Sequence, residues 1–277
     1  MEQTNLVKAA LKGDKTALEQ LLSLVQEPIY NLALRMLANP EDAKEATQEI
    51  LIKLMVNLSS FKSESLFSTW AFRVASNFLL TEKKVLSKYP ELSFDQYQQD
   101  LEEDLQTPGE MSTRPDYKVL LNELRISCTL AMLLCLKPAY RMAYILGEIL
   151  GLDHSEASFI LGLEKATYRQ QLTRARQTIT DFTAKSCGLV SQAAQCQCPK
   201  KLVGAINKQR VNPEQVIFLD KQQYSYSEVL NSLASTQQEL KTLALQKSVR
   251  FYKSPIDLAA QLEQLVGERN LKLTILN

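Results

Sequence analysis

The segment from Leu152 to Arg176, LDHSEASFILGLEKATYRQQLTRAR, constrains the fold more than any other part of the chain. It reads as two helices joined by a tight turn. Asp153 followed by Glu156 fits a capping pair at a helix start, and Ala157, Ile160 and Leu161 recur at helical spacing. Gly162 can take the left-handed backbone that ends a helix. A second helix is expected from about Glu164, with Tyr168, Leu172, Ala175 and Ile179 as its inward stripe. Its other face carries Lys165, Arg169, Gln170, Thr173, Arg174 and Arg176. Cations neutralise phosphates, and Arg and Gln read base edges through paired hydrogen bonds. This is the build of a helix-turn-helix, which places one helix in a DNA major groove. An amphipathic hairpin with a solvated basic face is the plainer alternative.

Composition narrows the class. Only 8 Gly and 9 Pro in 277 residues, with abundant Leu, Ala, Gln and Glu, point to a mainly all-α chain. The net charge is +1, so a nucleic-acid partner has to be argued from local patches. No apolar run is long enough to span a bilayer, and the first residues lack the build of a secretion signal. The expectation is a cytoplasmic protein without membrane contact. With one His, no Gly-rich phosphate loop and no nucleophile–base arrangement, no enzyme activity is expected.

Four stretches differ in character. Residues 4–86 form a helical unit with an apolar stripe of Ile29, Leu32, Ala33, Met36 and Leu37. Asn39-Pro40 then caps and opens a helix whose inner face is Ala43, Ala46, Ile50 and Leu54. After a Ser-rich break, another helix is expected from Phe67 to about Lys84, with Ala71, Val74, Ala75 and Phe78 inward. Trp70, Arg73 and Asn77 share its other face. An aromatic there can stack on an unpaired base, or it can wedge between helices with its N–H satisfied. Residues 87–117 are strongly acidic and broken by Pro108, Gly109 and Pro115, and read as a solvated, flexible linker too polar to bury a core. Residues 118–184 form a second helical unit ending in the hairpin. Residues 185–277 make a small extension, with helical patterns at 225–246 and 255–267 and strand-like clusters at 216–219 and 271–276.

Residues 39–54, Phe61 and residues 67–77 together resemble region 2 of bacterial RNA polymerase sigma factors of the extracytoplasmic-function (ECF) type, in the sigma-70 family. Residues 136–152 with the hairpin are similar to region 4 of the same family, and the two occur in the family's order with an acidic linker between. The resemblance covers roughly residues 5–184 and implies a helix-turn-helix initiation factor. Asp42, Glu45, Gln48 and Glu49 would dock on the large clamp subunit of core RNA polymerase. The loop from Asn57 to Ser63, with Phe61, would capture a flipped base of the promoter −10 element. Phe67, Thr69, Trp70, Arg73 and Asn77 would hold the separated strand, with Lys83, Lys84 and Lys88 on adjacent phosphates. Lys165, Arg169, Gln170, Thr173, Arg174 and Arg176 would read and grip the −35 duplex. The linker would thread near the polymerase active centre, its charge imitating nucleic acid. Glu164, Tyr168, Gln171 and Ser76 depart from the family's usual Ser, small aliphatic, cation and Arg.

Two other readings stand beside this one. The first is a helix-turn-helix regulator that works without polymerase. The second is a sigma-like adaptor that docks on polymerase but reads no promoter. An anti-sigma partner also follows from the resemblance.

The extension adds Cys187, Cys196 and Cys198 in a C-x8-C-x-C pattern. No cofactor is required by the resemblance. Three thiolates could hold zinc or another metal with a fourth ligand, or act as a redox switch, with Lys185, Lys200 and Lys201 expected to lower their pKa values. Three packed, unliganded cysteines are the plainer alternative. Cys128 and Cys135 sit in an apolar helical stretch and read as small buried side chains. The position of residues 214–277 directly after region 4 suggests an intrinsic regulator.

Overall fold

The computed structural model describes residues 2–81, 92–218 and 223–268. The chain divides into two units. One comprises Met1–Lys88, Ser155–Glu164 and Phe251–Asn277, the other Tyr89–His154 and Lys165–Arg250.

In the first unit four helices follow in order: α1 (Glu2–Leu11), α2 (Lys15–Leu37), α3 (Pro40–Val56) and α4 (Phe67–Thr81). Their ends follow from local chemistry. Asp14 accepts from the Ala17 N–H (3.0 Å) and caps α2. Ala38 turns left-handed (φ 52°) to end it. Asn39 Oδ1 then accepts from Glu41 and Asp42 N–H (2.9 and 3.1 Å), with Pro40 in the first turn where its missing N–H costs nothing. The expected stripes of α2 and α3 are buried against each other, and Ala71, Ala75 and Phe78 of α4 close the core. A helix 154–161, α8 below, also lies almost wholly in this unit, as does a C-terminal helix 258–268 that packs on α2.

The tail is held on α2 by a buried amide. Asn31 Nδ2 donates to the Tyr252 carbonyl and Asn31 Oδ1 accepts from the Tyr252 N–H, both at 2.7 Å. Gln26 Nε2 donates to the Ile256 carbonyl (2.7 Å), and the Arg35 guanidinium lies 4.9 Å from the Phe251 ring centroid. Burial moves the Arg35 pKa down to about 10.

The second unit contains α5 (Phe94–Glu102), α6 (Tyr117–Leu134) and α7 (Pro138–Tyr144), which runs into a π-helical turn, Ile145–Ile149. It also contains α9 (Lys165–Ser186), α10 (Cys198–Asn207), α11 (Tyr226–Ser235) and α12 (Lys241–Lys247). The remaining helices of the chain are α8 (His154–Leu161) and α13 (Leu258–Glu268). Leu120, Leu121 and Leu124 of α6 share one core cluster with Leu202 and Ala205 of α10 and with Tyr226. Arg141 donates to the carbonyls of Leu133, Leu134 and Leu136 (2.8–3.0 Å), satisfying the end of α6.

Three expectations are corrected here. The acidic stretch is not simply solvated: α5 forms with a Ser93–Gln96 capping box and buries Tyr97 and Leu101. Phe94 and Tyr97 lie against Phe182, at 4.9 and 5.7 Å between ring centroids. Residues 216–218 are not a strand. The Ile217 and Phe218 N–H groups donate to the buried Glu123 carboxylate (2.6 and 3.0 Å), which takes the place of a neighbouring strand. The 225–246 pattern breaks at Thr236, whose backbone is extended. No strand occurs among the described residues, and Leu219 and the 271–276 cluster lie outside them.

Candidate nucleic-acid interface

The turn that ends α8 forms as its residues require. Gly162 takes φ +63°, and the Leu163 N–H donates to the Ser158 carbonyl (3.0 Å). Tyr168, Leu172, Ala175 and Ile179 are buried along α9, and Lys165, Arg169, Gln170, Thr173, Arg174 and Arg176 are exposed. Two of these cations are oriented from α7 and the π-turn: Arg174 Nη1 donates to Tyr140 Oη (3.4 Å), and Arg176 Nε to Glu148 Oε1 (3.0 Å). The face is a rigid helical row of donors, suited to phosphates and guanine edges.

Tyr168 is accommodated by the glycine opposite it. A Cβ on Gly147 would lie 2.5 Å from Tyr168 Oη and 2.9 Å from Leu172 Cδ2, so glycine makes room for the large ring. The ring of His154 lies 5.7 Å from the Tyr168 ring centroid, which makes His154 a packing residue.

In the first unit, Phe61, Phe67 and Trp70 form a triangle with ring centroids 5.5–5.8 Å apart. Phe67 is buried; Phe61 and Trp70 are half-buried and reach solvent in part. The loop before them is shaped by Asn57, which caps α3 by donating to the Lys53 carbonyl (2.8 Å), and by Ser63 at φ 57°. Asn77 is exposed on α4. Asp42, Glu45 and Glu49, spaced three and four apart, share one side of α3 with Gln48 beside them. Lys83, Lys84 and Lys88 lie outside the described residues.

Two residues of this face meet α8, which the linear sequence did not disclose. Thr69 Oγ1 donates to Glu156 Oε1 (2.9 Å), and the Arg73 guanidinium sits 5.1 Å from the Phe159 ring centroid. Glu156, read from the sequence as a capping partner of Asp153, receives a hydrogen bond from α4. Asn31 was also missed, although an amide inside the run from Ile29 to Leu34 signals a buried partner.

The cysteines depart from expectation. Cys187 and Cys196 are tied through the Gly188 N–H and the Cys196 carbonyl (2.9 Å), and Cys198 opens α10. Burial pushes every one of these thiols up: Cys128 to about 11, Cys196 to about 12, with Cys187 and Cys198 also raised. Desolvation likewise takes Cys135 to about 12. Lys201 pulls Cys128 and Cys196 down, but desolvation by burial outweighs it, and its ammonium donates to backbone carbonyls of the linker. Among the described residues no three His, Cys, Asp or Glu side chains are arranged to hold a metal ion. Nor is any described helix long and apolar enough to cross a membrane.

Comparison with known proteins agrees with this anatomy. The Sigma-70 region 2 family model matches residues 21–87, and the Sigma-70, region 4 model matches residues 126–179. The chain is 36% identical over 89 residues to the ECF RNA polymerase sigma factor SigW of Bacillus subtilis, covering 32% of this chain and 46% of that protein. It is 29% identical over 180 residues to the ECF RNA polymerase sigma-E factor of Escherichia coli K12, covering 63% of this chain and 90% of that protein. A solved sigma factor RpoE from Bartonella quintana, in complex with the anti-sigma factor NepR, overlaps with a TM-score of 0.41 and 20% identity, over 59% of this chain and 94% of that one. Both regions, in the same order and joined by an acidic segment, make this chain a member of the sigma-70 family, an ECF-type sigma factor with a cysteine-containing extension.

Proposed function

We propose that residues 4–86 dock on core RNA polymerase and hold the opened −10 element, and that residues 118–184 read the −35 duplex, so that the chain directs initiation at particular promoters. The observation that carries this is the division of chemistry between two helical modules. One has a half-exposed aromatic triangle, Phe61, Phe67 and Trp70, which suits an unpaired base. The other has an exposed cationic row on α9, which suits a major groove. Two weak contacts need a third body to set their spacing, and polymerase is that body. Asp42, Glu45, Gln48 and Glu49 are the candidate docking residues on the large clamp subunit. The factor acts where the polymerase is, in the cytoplasm, and itself performs no catalysis. An anti-sigma protein would compete for the same faces.

A run-off transcription assay with core polymerase and promoter fragments tests the reading. Trp70→Ala is expected to reduce open-complex formation more than closed-complex formation. Arg169→Ala with Arg174→Ala is expected to weaken recruitment to duplex. Site-specific duplex binding without polymerase, and no stimulated transcription, would instead favour the independent regulator. Polymerase binding without promoter selectivity would favour the adaptor. For the extension, Cys187 is buried and Cys196 and Cys198 are half-buried, and among the described residues no three His, Cys, Asp or Glu side chains are arranged to hold a metal ion, which supports packing over zinc ligation. Stoichiometric zinc in the purified chain would reverse that assignment.

A further inference from the structure

We propose that residues 198–210 of the extension form a binding site for an acidic peptide segment, that its resident occupant in the free chain is the linker at residues 100–106, and that loading onto polymerase requires the linker to leave it. The inference rests on the sigma-factor reading above for the linker's destination. The contact itself rests on the second unit alone.

The contact is built, not incidental. Lys201, at 2% exposure, donates its ammonium to the carbonyl oxygens of Asp100 and Glu103, the latter at 2.9 Å. Those carbonyls close the C-terminal end of α5, where unpaired acceptors and the helix dipole favour a cation. Lys208 Nζ reaches Asp104 (2.7 Å), Glu103 (3.0 Å) and Asp100 (3.5 Å), and Arg210 pairs with Asp100. The Gln106 N–H donates to the Lys200 carbonyl (2.9 Å). A Cβ on Gly204 would lie 2.8 Å from the Asp104 carbonyl oxygen, so α10 approaches the linker backbone at a distance that only glycine permits. Backbone carbonyls, carboxylates and a glycine-sized gap together recognise one acidic strand in one register.

The same contact is poised to open. Its ion pairs are part-exposed, so they contribute modestly and are screened by salt. A pocket of about 290 Å³ adjoins it, lined by Leu101, Leu124, Cys128, Ala205 and Arg210 among others. The linker's carboxylates are thus neutralised by the extension's cations before they meet anything else. A polymerase channel that takes the same negative segment has to compete with them.

The test uses the full chain. Lys208→Asp with Arg210→Asp reverses the charge of the part-exposed cations and leaves Lys201 in place. Glu-specific protease cleavage at Glu103 and Glu110 reads linker release, and equilibrium binding to core RNA polymerase reads its consequence. Cleavage is expected to speed up, and binding to tighten, each by about tenfold, as the polymerase-competent population rises. Adding Asp100→Arg with Asp104→Lys to that variant restores opposite charges across the contact, and is expected to restore protection from cleavage. Unchanged cleavage in the first variant overturns the proposal, as does faster cleavage with unchanged polymerase affinity. A wild-type chain that fails to bind core polymerase at all instead refutes the sigma-factor reading, a separate result.

Discussion

At the residue scale, one departure from the family's usual residues, Tyr168, is accommodated by its neighbour. Tyr168 fits because Gly147 yields the space, but its hydroxyl is buried without a hydrogen-bond partner. Tyr168→Phe is therefore expected to leave stability unchanged or raise it by up to about 1 kcal/mol, read from chemical denaturation. Gly147→Ala is expected to cost about 1–3 kcal/mol by overpacking. The cost of Gly147→Ala should shrink in a Tyr168→Leu background, because the two sites share one volume. The thiols carry a second prediction. A thiol moved from 9 to about 11 holds roughly a hundredth of the thiolate at pH 8, so Cys128 should react about a hundredfold more slowly with a thiol reagent in the native chain than in urea. Rapid native labelling of Cys128, Cys187, Cys196 and Cys198 would mean that these side chains are open to solvent.

At the element scale, the tail and the linker are held in register by polar groups. The tail on α2 depends on Asn31, whose amide serves the Tyr252 backbone as a neighbouring strand would. Asn31→Ala leaves a buried N–H and C=O unpaired, at a cost of about 1–3 kcal/mol. The expected outcome is faster hydrogen exchange and proteolysis across 251–256, with the cores of both units still protected. The packing of α5 on α10 adds a pH dependence. Burial pushes Asp100 up, but the hydrogen bond and charge of Arg210 outweigh it, and the carboxyl ends below its ordinary value. Asp104 is lowered by its hydrogen bond to Lys208. A carboxylate held low stabilises the folded arrangement above the unfolded value and loses that contribution as pH falls through the folded one. The linker should therefore stay seated from neutral pH down to about 4 and loosen below it, measured by hydrogen exchange of residues 100–106.

At the scale of the whole molecule, charge is divided rather than accumulated. A net charge of +1 leaves no global field to pull the free chain onto DNA, while α9 carries an exposed cationic row. Duplex binding by the free chain is expected to be weak and steeply salt-dependent. Each phosphate-neutralising cation removed from α9, as in Arg174→Ala, should lower the slope of log K against log salt by about 0.9 in a fluorescence titration. The pairing of Thr69 with Glu156 and of Arg73 with Phe159 puts part of the proposed strand-binding face against α8 in the free chain. Under that proposal, recognition of an opened strand begins with those side chains already engaged.

Much of this was legible in the residues. The stripes of α2, α3 and α9, the Asn39-Pro40 start, the Gly162 turn and the exposed row from Lys165 to Arg176 follow from periodicity and backbone preference, which act within a few residues of one another. The order of the two modules, and so the kind of protein, followed as well. What the linear order did not contain was pairing across long separations. Glu123 satisfies the backbone of 217–218, Asn31 the backbone of 252, and Lys201 the end of a helix about a hundred positions earlier; each is a polar group that burial forces to find a partner. The acidic stretch looked too charged to pack because its counter-charges lie in the extension, and the cysteines looked activated because nearby lysines were weighed before burial was known. Local preference decides which segments become helices. Only the folded chain decides which charges meet and which are taken out of water, because desolvation and partner choice are properties of neighbours in space.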